Sequence, residues 1–214
     1  MQGKAICFLD TETTGLDPQK AEVIEVAVIR REPDGTESLF HTLIKPERIE
    51  DAHPKALKIN GYADDASRWD TAPTMSEVGD QIADFCRNSV ICGHNVSFDE
   101  TMIAANFKRS GVRRRVPYHK IDTITLAWEH LIPMGLDRVG MDAIRDFLGW
   151  SKEGAHTAMK DAEDAKCLYD LLCRITPERT ESLRRYLKIK KDQDESVEPA
   201  PWLWDDYEAE KPEQ

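Results

Sequence analysis

No stretch of this chain approaches the roughly 18 consecutive apolar residues of a membrane-spanning helix, and no signal-type apolar region opens it. A membrane-embedded helical protein is thereby excluded, and a cytoplasmic location is expected. Cysteine is sparse. The five present, Cys7, Cys86, Cys92, Cys167 and Cys173, are odd in number and never spaced C-x-x-C. That argues against a disulfide framework or a zinc ribbon and for buried thiols in a reducing compartment. No internal repeat occurs, which excludes a repeat architecture.

What is present is an ordinary soluble composition, 40% apolar and 32% charged over 214 residues, enough for one domain with a full core and a tail. The net charge of −11 is unevenly spread: residues 191–214 hold nine acids against two lysines, a net of −7, leaving −4 on the body. Lys108–Lys120 carries six Lys/Arg and no acid, and a second basic cluster runs from Arg184 to Lys191. The overall charge therefore does not exclude a polyanionic partner.

Ile6–Leu9 reads as a short apolar strand, with Asp10 and Glu12 at its end. Alternate residues of an extended chain share a face, so both carboxylates project to one side. Side by side they repel and raise each other's pKa unless a cation lies between them, and hard divalent cations take oxygen ligands. Taken alone, the pair reads first as a strand running out into an acidic turn, and other parts of the chain must decide for the cation.

Glu22–Arg30 and Leu39–Ile44 read as two further strands, joined as a hairpin by Pro33-Asp34-Gly35. Short helices are expected over Pro54–Asn60 and Met75–Asn88, the second capped by Thr74 or Ser76. Val90–Gly93 forms a strand, after which Ser97 opens a helix with Glu100 in capping-box spacing. Lys120–Thr123 gives a fifth strand. Helices follow near Thr123–His130, Arg138–Leu148 and Thr157–Ile175, then from Pro177 to about Lys190. Strands first in a hairpin and then alternating with helices indicate an α/β domain with a mixed sheet.

Two more acids stand where ligands gather. Asp99 lies in the first turn of the helix after Val90–Gly93, a place the helix dipole also favours. Asp161 shares a helix face with Ala165, Leu168, Leu172 and Ile175, which carries it to the edge of a buried surface. A carboxylate there calls for a cation or a cluster. Asp164 is a rival on a neighbouring face. His156, five residues before Asp161, reaches the same region. The acidic tail after Lys191 contains Trp202-Leu203-Trp204 and Tyr207, and reads as disordered, as a strand packing back on its own domain, or as a docking segment for a protein partner.

Three segments carry a family resemblance: DTETTGL at Asp10–Leu16, GHNVSFD at Gly93–Asp99 and HTAMKDAEDA at His156–Ala165. In this order, with His-x4-Asp in the third, the chain resembles the DEDDh (DnaQ-like) 3′–5′ exonucleases over roughly residues 4–176. That family includes polymerase proofreading subunits, RNase T and oligoribonuclease. The resemblance implies a ribonuclease-H-like fold, a mixed five-stranded sheet flanked by helices, in an exonuclease domain at 1–176; the helix at 177–190 and the tail at 191–214 follow it. It also implies phosphodiester hydrolysis at nucleic-acid 3′ ends with two Mg2+ or Mn2+ ions. Asp10 would bridge both ions. Glu12 and Asp161 would hold the ion that binds the attacking water, and Asp99 would complete the site. His156 would be the general base. Thr13, Leu16, Asn95 and Phe98 would line the path of the terminal nucleotides. Single-stranded DNA, or 3′ ends within duplex, is the favoured partner, with RNA as runner-up and a binding or docking subunit without turnover as the other class. The basic Lys108–Lys120 segment would follow the phosphate backbone or be a solvated loop.

Overall fold

The computed structural model describes residues 3–173 and 175–192; the aromatic tail expected as a strand or docking segment lies outside these. Two compact units are present. The first comprises Met1–Thr123 and Gly154–Lys166, the second Ile124–Glu153 and the chain from Cys167 on.

The first unit is built on a mixed sheet of five strands: β1 (Ala5–Thr13), β2 (Val23–Arg31), β3 (Glu37–Leu43), β4 (Ser89–Gly93) and β5 (Lys120–Asp122), in the order β3-β2-β1-β4-β5. β1, β2 and β3 form an antiparallel meander, and β4 and β5 add in parallel with β1. The expected hairpin and the mixed five-stranded sheet are both present. Even-numbered residues of β2 (Val26, Val28) and odd-numbered residues of β1 (Cys7, Leu9) enter one hydrophobic core. That core also holds Val78 and Ile82 of α2 (Met75–Phe85), after α1 (Pro54–Ile59), and Met102, Ile103 and Phe107 of α3 (Val96–Arg109). Strand alternation turns Phe8, Asp10 and Glu12 to the opposite face. α6 (Ala158–Cys173) begins in this unit, and its Lys166 reaches Glu37 of β3 at 3.4 Å.

The strand β1 is longer than its apolar run predicts. It continues through Asp10 and Glu12 to Thr13, because β2 supplies hydrogen-bond partners along its whole length, with an irregularity between Glu12 and Thr13. Its pairing with β4 stops at Phe8 opposite Cys92, so β1 outruns β4. Gly93 sits at this end, where a Cβ would lie 2.6 Å from the Leu9 carbonyl oxygen. Only glycine allows that approach.

The helix cap after β4 differs from expectation. Asn95, with φ 66°, occupies the cap position, so α3 starts at Val96 and Ser97 lies inside it. The chain must turn sharply out of the strand, and asparagine tolerates the left-handed conformation. Glu100, expected in a capping box, pairs instead with Lys120 Nζ at 2.8 Å. At α2 the sequence reading holds: the Glu77 carboxylate accepts from the Thr74 N–H (2.7 Å) and hydroxyl (2.9 Å).

The second unit has its own core, Leu131, Ile144, Leu148, Leu168 and Leu172 with Leu183 and Tyr186. Its helices include most of α4 (Thr123–His130), α5 (Met141–Leu148) and α7 (Pro177–Asp192). No helix among the described residues is long and apolar enough to cross a membrane.

Candidate metal centre

Strand alternation, helix phase and one tight turn together assemble the site. Asp10 and Glu12 leave β1 on one face, and Asp161 comes from the first turn of α6. Carboxylate oxygens of the three lie within 4.8 Å of one another. The turn that delivers Asp161 is tied at both ends: Gly154 O accepts from the Thr157 hydroxyl at 2.9 Å, and Thr157 O accepts from Asp161 N–H at 3.0 Å. His156 stands in this turn, half-buried, with φ 64°, a left-handed backbone on a side chain that rarely takes it.

Asp99 arrives by another route. Beyond the end of β4 the edge of β1 is open, and Asp99 Oδ1 accepts there from the Thr11 N–H (3.0 Å) and hydroxyl (2.7 Å). Buried and doubly bonded through one oxygen, Asp99 is held beside the other acids with its second oxygen outside these bonds. Thr11 is the residue that sequence reasoning missed here. Its signal, the middle position of D-T-E facing away from the acids, has meaning only once β1 is known to outrun β4.

The electrostatics are those of anions crowded without a counter-charge. Burial, then the charges of Asp99, Asp161, Glu12 and Glu25, push Asp10 far above the carboxylate range. Glu12 is pushed up to about 9, first by burial and then by Asp161, Glu25 and Asp99. Asp99 rises to about 7 through burial, with the Thr11 hydrogen bonds pulling it back. Such a set is unfavourable as bare carboxylates at neutral pH. All donors are hard oxygens, and no thiol or imidazole belongs to the trio, so the residues fit Mg2+ or Mn2+.

The remaining motif residues take distinct places. Leu16 is 82% exposed, an apolar side chain held out to solvent. Asn95 is exposed and donates its N–H to Asp122 Oδ1 at 3.1 Å. Phe98 is half-buried against the first core. Thr13 is buried, its hydroxyl donating to Gly15 O (2.8 Å) and its carbonyl accepting from Asn60 Nδ2 (3.0 Å). Asp164, the rival to Asp161, is ion-paired with Lys160 at 2.7 Å.

The basic Lys108–Lys120 segment runs from the last turn of α3 into the start of β5. Arg109 donates to Pro18 O at 2.6 Å, and Arg114 pairs with Asp84 and, at 3.6 Å, with Asp80. Together with Lys120, half of its six cations are committed within the protein.

Comparison with known proteins agrees with this geometry. The RNase T family model, described as Exonuclease, matches residues 7–169. A PolC-type DNA polymerase III of Thermotoga petrophila is 32% identical over 155 residues, 72% of this chain but 11% of that protein's length. The chain thus spans about a tenth of that relative. Ribonuclease T of Haemophilus influenzae is 29% identical over 178 residues, covering 76% of both chains. Among solved structures, E. coli exonuclease I in complex with a dT13 oligonucleotide superposes with a TM-score of 0.67 at 20% identity, over 86% of this chain and 43% of that one. That likeness establishes the fold.

Proposed function

Since the chain belongs to the exonuclease family whose model spans residues 7–169, we propose that it hydrolyses phosphodiester bonds at nucleic-acid 3′ ends with the aid of divalent cations, single-stranded DNA being the favoured substrate. The observation that carries this reading is the convergence of Asp10, Glu12 and Asp161 within 4.8 Å, with Asp99 tied alongside by Thr11. Asp10, Glu12 and Asp161 would hold the cations directly, and Asp99 would offer its uncommitted oxygen. When bound, Mg2+ or Mn2+ supplies positive charge against the negative charge gathering on the phosphate oxygens.

The chain's own groups do the rest. His156 takes the proton of the attacking water, a task suited to an imidazole near neutral pH. The new oxygen–phosphorus bond forms as the bond to the upstream 3′ oxygen breaks; that oxygen takes up a proton from solvent to become the new 3′ hydroxyl, and a nucleoside 5′-monophosphate is freed. Leu16, exposed beside the acids' strand, presents an apolar surface to a terminal base, and Asn95 and Phe98 flank the start of α3. The favoured DNA reading draws support from the fold shared with a DNA-bound exonuclease. A second reading, an exoribonuclease, is favoured by the Ribonuclease T match, which covers three quarters of both proteins.

Matched single-stranded DNA and RNA oligomers with labelled 5′ ends, incubated in Mg2+, Mn2+ or EDTA, provide the test. Stepwise shortening from the 3′ end that stops in EDTA is expected, faster on DNA. Intact oligomers in both metals would exclude an exonuclease, and faster loss of RNA would establish the second reading.

A further inference from the structure

The run Val23–Ile29 of β2 is buried throughout and contains one charged residue, Glu25. Its partner across the sheet is Glu12. Directly opposed residues of antiparallel strands have Cβ atoms about 4.5–5.5 Å apart and share a face, and like charges there are destabilising. Two glutamates thus oppose each other in the middle of the sheet, beside Asp10 and Asp161.

Glu25 is 3% exposed, and among the described residues its one hydrogen-bond partner is His41, whose Nε2 lies 2.8 Å from Oε1. His41 stands on the edge strand β3 with its side chain 41% exposed. The contrast with Glu22, just before the same strand, is instructive. Glu22 is also buried, but its two oxygens accept from the backbone N–H groups of Glu47 (3.1 Å) and Arg48 (2.8 Å). That is how a structural carboxylate is satisfied. Glu25 has one oxygen fixed and one uncommitted, and its charge acts on both Asp10 and Glu12.

We propose that Glu25, held by His41, is a fifth carboxylate of the cation centre, a positioning residue that strengthens cation binding at Asp10, Glu12 and Asp161 without ligating the ion itself. The inference rests on the cation-dependent reading of the site. His41 fixes one oxygen of the Glu25 carboxylate, and the register of β1 and β2 sets this side chain opposite Glu12. There it orients that ligand, directly or through a cation-bound water, as outer-shell carboxylates do in metal sites. A divalent cation also removes the conflict between the opposed glutamates.

The test uses the full chain stripped with EDTA and titrated calorimetrically with Mn2+. Glu25→Gln should weaken Mn2+ binding about 10-fold, in the range typical of outer-shell changes. The same variant should melt higher than the native protein in EDTA, since one of two opposed charges is gone. Glu22→Gln, a control away from the cluster, should melt lower and leave the Mn2+ affinity unchanged. His41→Ala should alter Mn2+ affinity in the native background and lose that effect when combined with Glu25→Gln, as residues acting through one another do. A change in affinity below about two-fold for Glu25→Gln, typical outer-shell losses being larger, together with a lower melting temperature, would mark Glu25 as structural and overturn the proposal. Should Glu25→Gln not fold, His41→Ala decides alone: unchanged Mn2+ affinity overturns the proposal. A native protein that neither binds Mn2+ nor shortens oligomers removes the cation-dependent reading and this inference together, whereas an active native protein with indifferent variants removes the inference only.

Discussion

Replacing Glu12 by glutamine should make the metal-free protein more stable, by an amount that depends on pH. Free glutamate titrates near 4.5, but in the folded protein Glu12 is pushed up to about 9 by burial and by Asp161, Glu25 and Asp99. A group whose folded pKa is raised contributes its full stability below the unfolded value and loses it as pH climbs towards the folded value. Between about pH 4.5 and 9, therefore, each unit of pH removes about 1.4 kcal/mol, which amounts to about 3 kcal/mol by pH 7. Glutamine keeps the shape and does not titrate. For a chain of this size, about 3 kcal/mol corresponds to a melting difference of roughly 6–12 °C. The assay is thermal unfolding of both proteins in EDTA from pH 5 to 9. The variant's advantage should be below about 1 kcal/mol at pH 5 and widen steadily upward. Saturating Mn2+ should reverse the order at pH 7.5, because only the native protein then gains the full free energy of binding. A difference that stays flat with pH, or favours the native protein in EDTA, would refute the reasoning.

Other outcomes follow from the same geometry. His156→Ala should lower single-turnover hydrolysis about 100- to 10,000-fold, while calorimetry finds Mn2+ affinity little changed; near-native turnover would remove this residue from the chemistry. Thr11→Val, which deletes the 2.7 Å bond to Asp99, should cost about 10- to 100-fold in turnover, and Thr11→Ser should restore it. If Thr11→Val is fully active, Asp99 does not depend on that hydroxyl. Gly93→Ala should destabilise by about 1–3 kcal/mol or more, since its Cβ would meet backbone at 2.6 Å; denaturant unfolding measures this, and an unchanged midpoint would contradict it.

The parts of the site legible in the sequence are those set by local periodicity. The two-residue alternation of β1 places Asp10 and Glu12 together, and the helix phase of α6 sends Asp161 along the stripe of Ala165, Leu168 and Leu172. What depends on register is not legible. Nothing local to Thr11 says that β4 ends two residues earlier, and nothing local to Glu25 says that Glu12 lies across from it. Asn95 was hidden for a related reason. Ser97 and Glu100 match a capping pattern, but the exit from β4 forces the turn two residues sooner and Lys120 claims the glutamate. Charge in a sequence likewise does not reveal that Arg109, Arg114 and Lys120 make contacts within the protein.

The left-handed backbone at His156 bears on how this position can evolve. A chain selected for stability alone would prefer glycine there, since glycine adopts φ near 64° without the penalty that a Cβ brings. Drift should therefore run towards a sturdier protein without the proposed base, and if His156 is that base, keeping it requires continued selection on turnover. The same asymmetry is useful at the bench. His156→Gly offers a route to a silent, well-folded protein that still gathers its carboxylates, suited to holding an uncut strand in place.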